Sequence, residues 1–236
     1  MRIGLVSYLC KNRDLSFNVS QIEKAVKRYR KEVDLLCFGE AFLQGFNALS
    51  WDYEIDKLIA LEQSSEIVKK LCELSLKYKV ALLTGYIEKD QDKLYSSCIV
   101  IYDGKIVHNY RRISKGWKEY TITDDHYAEG SSVESFNLMG EKFKVALCGD
   151  LWDYPERFKT EDLLIWPVYV NFSLEEWQSG VLDEYAQEAS LASKNVLMIN
   201  SLDNETINHG GSFYFRSGKI LSSIPFDKED VLIVEI

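Results

Sequence analysis

The chain has 236 residues and a formal net charge of −9 at pH 7, with acidic and basic side chains interleaved along it. Nucleic-acid and anionic-membrane surfaces need clustered Lys and Arg, so no nucleic acid and no membrane is expected as a partner. Because 46% of the residues are hydrophobic, the chain can bury a sizeable core, and a single domain over residues 1–236 is predicted.

The N-terminus and the cysteines predict the cellular setting. The apolar stretch in MRIGLVSYLCKNRD is too short for a signal peptide, and no segment approaches the roughly 20 apolar residues of a membrane span. A cytoplasmic protein is therefore expected. The five cysteines are odd in number and widely spaced, which fits neither a disulfide framework nor a zinc site, so reduced thiols and no metal or other cofactor are expected.

The first third of the chain has the pattern of a β-α-β unit. RIGLVSY predicts a buried strand, SFNVSQIEKAVKRYRKE an amphipathic helix and VDLLCFGE a second strand, which indicates neighbouring parallel strands. SSEIVKKLCELSLKYK then predicts another helix, which leads directly into the strand VALLTGYIE.

Antiparallel hairpins follow. LYSSCIVIYDGKIVHNYRRI predicts two strands joined at Asp103-Gly104, and VESFNLMGEKFKVALC a second hairpin that turns near Gly140. TEDLLIWPVYV predicts a strand, residues 173–194 a helix, and NVLMINS, GSFYF, GKILSSI and DVLIVEI four more strands. About a dozen strands are too many for one modest open sheet, so the expected α/β architecture is a four-layer α-β-β-α sandwich.

A charged residue follows each of two predicted strands. Glu40 in LLCFGEAFLQGF has apolar neighbours, so its carboxylate must be paired or reach solvent, as a cap, an ion-pair partner or a general base. In NYRRISKGWKEY, the residues Arg111, Arg112, Lys115 and Lys118 form a cationic cluster, which by itself is typical of a solvated strand edge. Beside a thiol or a reacting carbonyl, however, such a cation lowers the thiol pKa or stabilises an oxyanion.

Cys148 ends a third predicted strand. Gly149 and DLWDYPERF follow it, with Asp150 or Asp153 suited to cap a helix and Pro155 to its first turn. Such an elbow exposes the residue at its tip beside backbone N–H groups, although a lone cysteine at a strand end is more often inert. A Cys-His pair is disfavoured because the histidines lie in other settings, at His108, His126 and His209.

In this order, the three motifs resemble the carbon-nitrogen hydrolase family of the nitrilase superfamily. FGEAFLQGF is similar to the family's glutamate motif and LCGDLWDYPERF to its nucleophile motif, while LLIWPVYVNFSLEEW, VLMINS and GGSFYFRSGKIL resemble later segments. The resemblance spans almost the entire chain. It implies a nitrilase-like α-β-β-α sandwich and a Glu-Lys-Cys triad that hydrolyses amides, nitriles or carbamoyl compounds through a thioester, with Glu40 as general base and Cys148 as nucleophile.

The cation motif departs from the family pattern. The family reads Tyr-Arg-Lys followed by an apolar residue, His and Leu, whereas this chain reads YRRISK. Arg112 occupies the lysine position, and Lys115 and Lys118 are the alternative cations. Arginine keeps the positive charge but does not readily give up a proton. For a second acid, the resemblance offers three candidates in the following loop, namely Asp124, Asp125 and Glu119.

The resemblance implies cysteine-dependent hydrolysis of a small amide, ureido or carbamoyl compound, without a cofactor, by a homodimer. Gly149 supplies backbone N–H near the oxyanion, and aromatic side chains are predicted to line the pocket: Tyr110, Trp117, Trp152, Trp166 and Tyr169. The alternative is a catalytically impaired relative that binds a small metabolite or a protein partner, because Arg112 replaces the lysine. Acyl transfer to an amine shares the first half of the reaction.

Overall fold

The computed structural model describes residues 1–203 and 208–236, and within them the main strands form two six-stranded sheets. In chain order the strands are β1 (Arg2–Ser7), β2 (Leu9–Cys10), β3 (Leu35–Cys37), β4 (Ala81–Asp90), β5 (Lys93–Tyr102), β6 (Lys105–Arg111), β7 (Ser135–Leu138), β8 (Glu141–Val145), β9 (Leu163–Val168), β10 (Asn195–Asn200), β11 (Leu202–Asp203), β12 (Ser212–Arg216), β13 (Lys219–Ser223) and β14 (Asp230–Glu235). The α-helices are α1 (Leu15–Tyr29), α2 (Tyr53–Asp56), α3 (Glu66–Tyr78), α4 (Asp150–Asp153), α5 (Leu174–Glu176) and α6 (Leu182–Ala192).

Each sheet has a parallel centre and antiparallel margins. The first sheet has the order β14-β1-β3-β4-β5-β6, with β1, β3 and β4 parallel. The second has the order β13-β12-β10-β9-β8-β7, with β8, β9 and β10 parallel. The β-α-β opening and the two antiparallel hairpins predicted from the sequence are present.

The core lies between the sheets and beneath the helices. Apolar side chains from both sheets pack together in one cluster, for example Leu5 and Leu83 against Ile165 and Leu197. A second cluster joins the opposite face of the first sheet to α1 and α3, while α6 packs on the outer face of the second sheet. Because strand residues alternate between faces, each sheet buries both sides, and the predicted four-layer α-β-β-α sandwich is confirmed.

Two details of the helices differ from the sequence-based expectations. The predicted helix over residues 173–194 is divided into α5, a π-helical turn (Trp177–Val181) and α6, with Gly180 at φ 123° inside the turn. At α4 the cap position belongs to Gly149, so the prediction of Asp150 or Asp153 as the cap is wrong. Pro155 instead begins a short 3₁₀ helix (Pro155–Phe158).

No helix within residues 1–203 and 208–236 is long and apolar enough to cross a membrane. The five cysteines, all of them described, are free thiols.

Candidate active site

The three strand ends predicted from the sequence meet at one edge of the sandwich. Strands β3 and β4 are parallel, and β5 is antiparallel to both β4 and β6, so β6 runs in the same direction as β3. Glu40, which follows β3, and Arg112, which follows β6, therefore leave the first sheet at the same edge. The backbone N–H of Glu40 donates to the carbonyl of Val168 (3.4 Å) and that of Cys148 to the carbonyl of Pro167 (3.0 Å). The end of β9 therefore lies beside both residues.

Glu40 is a buried carboxylate with one oxygen paired and one unpaired. The residue is 2% exposed, and Oε1 accepts hydrogen bonds from Ser96 Oγ (2.9 Å) and Arg112 Nη1 (2.9 Å). Within the described residues, Oε2 is buried and has no hydrogen-bond partner. This oxygen is therefore available to a hydrogen-bond donor, since a buried polar atom without a partner is costly.

The turn that carries Glu40 requires a close backbone approach. Ala41, the next residue, has φ 48°, a left-handed conformation that is uncommon outside glycine. Gly85 on β4 lies beneath this turn, and a Cβ added there would lie 2.5 Å from the Ala41 nitrogen and 2.7 Å from the Glu40 Cα. Gly85 therefore permits the turn to pack on the sheet.

Cys148 lies at the tip of a strained elbow between β8 and α4. Its φ is 40°, and Trp166 Nε1 donates to its carbonyl oxygen (2.8 Å). Its Sγ lies 3.7 Å from the carbonyl oxygen of Tyr169, and the side chain is partly exposed. Positive φ at a reactive side chain is typical of nucleophile elbows, which present the side chain away from the strand.

The thiol of Cys148 is held in its protonated form. Burial is the largest cause that raises its pKa to about 12, and the neighbouring Glu40 carboxylate raises it further, while the Arg112 guanidinium lowers it. Little thiolate therefore exists at Cys148 near neutral pH.

Arg112 follows directly after the end of β6 and is 3% exposed. Besides its ion pair with Glu40, its Nε donates to Ser114 Oγ at 2.6 Å. Burial opposes its charge, but the neighbouring carboxylates of Glu40 and Asp150 raise the pKa of Arg112 above its ordinary value. The guanidinium is thus a permanent cation between the carboxylate and the thiol.

Asp150 is a site residue that the sequence reasoning missed. It is fully buried, and its carboxylate accepts four hydrogen bonds, from Tyr110 Oη (2.6 Å), Leu147 N (2.8 Å), Ile113 N (3.1 Å) and Ser114 N (2.8 Å). Burial is the main cause that raises its pKa, against the opposing effect of Arg112 and these donors. Asp150 therefore joins the loop after β6, which carries Arg112 and is called the cation loop below, to the elbow that carries Cys148. Its position two residues after Cys148 was the feature of the sequence that could have indicated a place in the site.

The other predicted cations lie outside this cluster. Lys115 is exposed, with its Nζ 6.0 Å from the centre of the Tyr120 ring. Lys118 forms an ion pair with Glu129 at 2.8 Å and donates to the carbonyl oxygen of Tyr127. The strand ends before Arg112, and this turn carries both lysines away from Glu40.

The three candidates for a second acid lie on the exposed surface of the following loop. Asp124 accepts a hydrogen bond from the backbone of His126 and lies 2.9 Å from its Nδ1. Asp125 and Glu119 are exposed, and their backbone carbonyls accept from Lys93 Nζ (2.8 Å) and Thr123 Oγ1 (2.8 Å). Their role as a second acid stays a prediction.

A cleft with aromatic walls is linked to Cys148 through the contacts of Phe46 and Tyr169. A cavity of about 230 Å³ is lined by Phe46, Trp51 and Trp117, among others. Tyr169, whose carbonyl faces the thiol, stacks on Phe46 with ring centres 4.3 Å apart. Of the predicted pocket residues, Trp117 therefore lines the cleft and Tyr169 adjoins it. Trp152 is 41% exposed and packs edge-on against Tyr185, while the buried Tyr110 and Trp166 position Asp150 and Cys148.

The histidines are engaged away from the thiol. His108 stacks on Phe136 with ring centres 4.6 Å apart, and the ring nitrogens Nδ1 of His126 and His209 lie 2.9 and 2.7 Å from carboxylate oxygens of Asp124 and Asp227. Glu40 is the carboxylate that neighbours the Cys148 thiol and raises its pKa further.

Fold and site together define a nitrilase-like α-β-β-α sandwich with a carboxylate, a guanidinium and a thiol at one sheet edge. The family model for carbon-nitrogen hydrolases matches residues 2–236, and the chain belongs to this family. Two solved structures share the fold: XC1258 from Xanthomonas campestris (TM-score 0.80, 17% identity, 99% of this chain and 89% of the other) and an amidase from Nesterenkonia sp. (TM-score 0.80, 16% identity, 100% and 90%).

Curated relatives include both synthetases and nitrilases. The chain is 23% identical over 233 residues to a glutamine-dependent NAD(+) synthetase of Thermotoga maritima, covering 91% of this chain and 39% of the relative. It is 27% identical over 145 residues to a nitrilase of Pyrococcus abyssi, covering 61% of this chain and 53% of the relative. The chain thus spans only about two fifths of the length of the synthetase relative.

Proposed function

We propose that this chain is a cysteine-dependent hydrolase that cleaves the non-peptide C–N bond of a small amide, ureido or carbamoyl compound through a thioester on Cys148. The observation that carries the proposal is the position of Arg112. Its Nη1 lies 2.9 Å from Glu40 Oε1, and its Nη2 lies against Gly149, the neighbour of Cys148. A base, a cation and a thiol therefore share one site.

In the first half-reaction, Glu40 Oε2 accepts the thiol proton while Cys148 Sγ attacks the carbonyl carbon. The carbonyl oxygen becomes an oxyanion, which Arg112 and backbone N–H groups of the elbow stabilise. The C–N bond then breaks, the nitrogen takes the proton from Glu40, and ammonia or an amine leaves a thioester on Cys148.

In the second half-reaction, Glu40 accepts a proton from a water molecule as its oxygen attacks the thioester carbon. The C–S bond breaks, the acid leaves, and the sulfur regains its proton from Glu40. In this scheme Glu40 carries every proton, so Arg112 needs only its positive charge and never gives up a proton. The raised pKa of the thiol fits this scheme, because the resting pair is a neutral thiol beside a carboxylate.

An amide is the favoured substrate class. A relative whose name specifies glutamine dependence and a structural neighbour described as an amidase support an amide, while the nitrilase relative is the reason that nitriles are included in the substrate panel below. The aromatic cleft favours a small molecule with an apolar part, since Phe46, Trp51 and Trp117 offer ring faces. A homodimer is proposed from the family resemblance, and light scattering in solution tests it.

Acyl capture tests the proposed reaction. The purified chain is incubated with a panel of small amides, ureido compounds and nitriles, with and without hydroxylamine, and the peptide that contains Cys148 is weighed after acid quenching. An acyl adduct on Cys148, with hydroxamate released when hydroxylamine is present, is expected for at least one amide. Cys148→Ala should abolish both signals, and Cys72→Ala, which removes another partly exposed thiol, should leave them unchanged.

The second candidate is a catalytically impaired relative that binds a metabolite or a protein partner. It is favoured by the arginine at position 112, where the family motif has a lysine. In that case no member of the panel acylates Cys148, while small amides still raise the melting temperature of the chain. Product that appears only with an added amine acceptor would instead indicate acyl transfer.

A further inference from the structure

The guanidinium of Arg112 lies in a close-fitting socket. Nε donates to Ser114 Oγ at 2.6 Å and Nη1 to Glu40 Oε1 at 2.9 Å. Nη2 points at the nucleophile elbow, where a Cβ added to Gly149 would lie 2.6 Å from it and 3.3 Å from Ser114 Oγ. Each nitrogen of the guanidinium is therefore matched by a different neighbour.

The backbone does not explain why residue 149 is a glycine. Gly149 has φ −64° and ψ −6°, a right-handed helical conformation that alanine adopts without strain. What excludes a side chain is the guanidinium, which fills the space of the missing Cβ. Because Arg112 is 3% exposed and ion-paired, it can move only by giving up its contacts with Glu40 or Ser114.

A lysine would fill this socket poorly. Its ammonium is a single point of charge, whereas arginine presents nitrogen donors in a rigid planar fork. With lysine at position 112, an ammonium beside Glu40 would leave Ser114 Oγ without its donor and the space over Gly149 unfilled. The cost of the substitution would come from geometry, since the charge is unchanged.

We infer that Gly149 and Ser114 are positioning residues that fit this active site to arginine at position 112. The catalytic meaning of the inference rests on the proposed function. Nη2 is the guanidinium nitrogen next to the elbow, and within the described residues it donates to no protein acceptor, so it is the donor for the acyl oxygen. The neighbours of residue 112 thus match the three nitrogens of an arginine side chain.

A double-mutant cycle between positions 112 and 149 tests the inference without a substrate. Iodoacetate is anionic and iodoacetamide is neutral, so the ratio of their alkylation rates at one thiol reports the positive charge beside it and cancels the thiolate fraction. The ratio at Cys148 is measured by peptide mass for wild type, Arg112→Lys, Gly149→Ala and the double variant. Cys72 serves as the internal reference.

The ratio at Cys148 is expected to fall roughly tenfold in Arg112→Lys and in Gly149→Ala, and Gly149→Ala should have little further effect in the lysine background. Ser114→Ala should lower the ratio by a smaller factor. Gly116→Ala is the matched control, because a Cβ there would lie 3.5 Å from the same Nη2, an ordinary contact. This control should keep the wild-type ratio.

Equal effects of Gly149→Ala in the arginine and lysine backgrounds would overturn the inference, as would a lysine variant with the wild-type ratio. The same cycle, measured by urea unfolding, detects any variant that fails to fold and reports the same coupling. Failure of the proposed function looks different: Cys148 forms no acyl adduct with the amide panel, although positions 112 and 149 remain coupled. If Cys148 forms an acyl adduct but positions 112 and 149 are not coupled, the proposed function stands and the inference about Gly149 and Ser114 is wrong.

Discussion

The hydroxyl of Tyr110 donates a 2.6 Å hydrogen bond to the buried carboxylate of Asp150, and this contact joins the two sheets at the candidate active site. Tyr110 belongs to β6 in the first sheet, and Asp150 follows β8 in the second. The same carboxylate accepts from Leu147 N and Ser114 N. The distance between the cation loop and the nucleophile elbow is therefore set by one side chain.

Replacing Tyr110 by phenylalanine should lower the free energy of unfolding by about 2 kcal/mol, since a hydrogen bond to a buried charged group is lost. The change should also slow acylation of Cys148, because the elbow is no longer tied to β6. Urea unfolding and the acyl-capture assay measure the two effects. Tyr102→Phe on β5 is the control, because the described residues give the Tyr102 hydroxyl no hydrogen-bond partner, and it should change neither quantity.

Replacing Glu40 by glutamine should move turnover and thiol acidity in opposite directions. Turnover should fall roughly 10³-fold, because the base for both half-reactions is removed. The pKa of Cys148 should fall below about 12, because burial still raises it but the Glu40 charge is gone and the Arg112 charge, which lowers it, remains. Absorbance titration of the thiolate against a Cys148→Ala blank measures the shift, and Glu129→Gln is a control for the loss of a carboxylate elsewhere. An unchanged pKa would contradict the assigned neighbourhood of the thiol.

Much of this site follows from local sequence, and the remainder depends on contacts between distant segments. Glu40, Arg112 and Cys148 were predicted as site residues from the resemblance of their motifs to those of the family, since a strand-end position alone favours a structural role. Hydrogen bonds between distant segments leave no local pattern, which hid the contact of Ser96 with Glu40 and that of Tyr110 with Asp150. The division of the predicted helix over residues 173–194 was equally hidden, because an apolar repeat does not reveal a π-helical turn.

The pH dependence of stability should carry the signature of the Cys148 thiol. A pKa that is raised in the folded state means that the folded chain holds its proton where the unfolded chain has lost it. The resulting stabilisation is complete below the ordinary thiol pKa, near 9, and is lost as the pH rises towards about 12. The difference in unfolding free energy between wild type and Cys148→Ala should therefore be constant from pH 6 to about 8.5 and decline above it. Parallel curves up to the highest measurable pH would contradict the raised value.

Arg111, the neighbour of Arg112, should prove structural where Arg112 is functional. Its Nε and Nη2 donate to the two oxygens of the buried Glu88 (both 2.9 Å), and its guanidinium lies 4.0 Å from the centre of the Tyr95 ring. Arg111→Met leaves a buried carboxylate without its counter-charge and should cost about 3–5 kcal/mol of unfolding free energy. The iodoacetate-to-iodoacetamide ratio at Cys148 should stay unchanged in this variant, in contrast to Arg112→Lys.

The dependence of unfolding free energy on pH in the acid range tests the structural role of the Arg111–Glu88 ion pair. Burial opposes the charge of Glu88, but hydrogen bonds from Arg111 and from Ser97 lower its pKa below the ordinary value. Its stabilisation is present at neutral pH and is lost as the pH falls through that lowered pKa. In Arg111→Met the loss should begin at higher pH, and adding Glu88→Met should recover part of the stability by removing the unpaired charge. If the double variant is no more stable than Arg111→Met, the buried pair is not what holds β6 to β4.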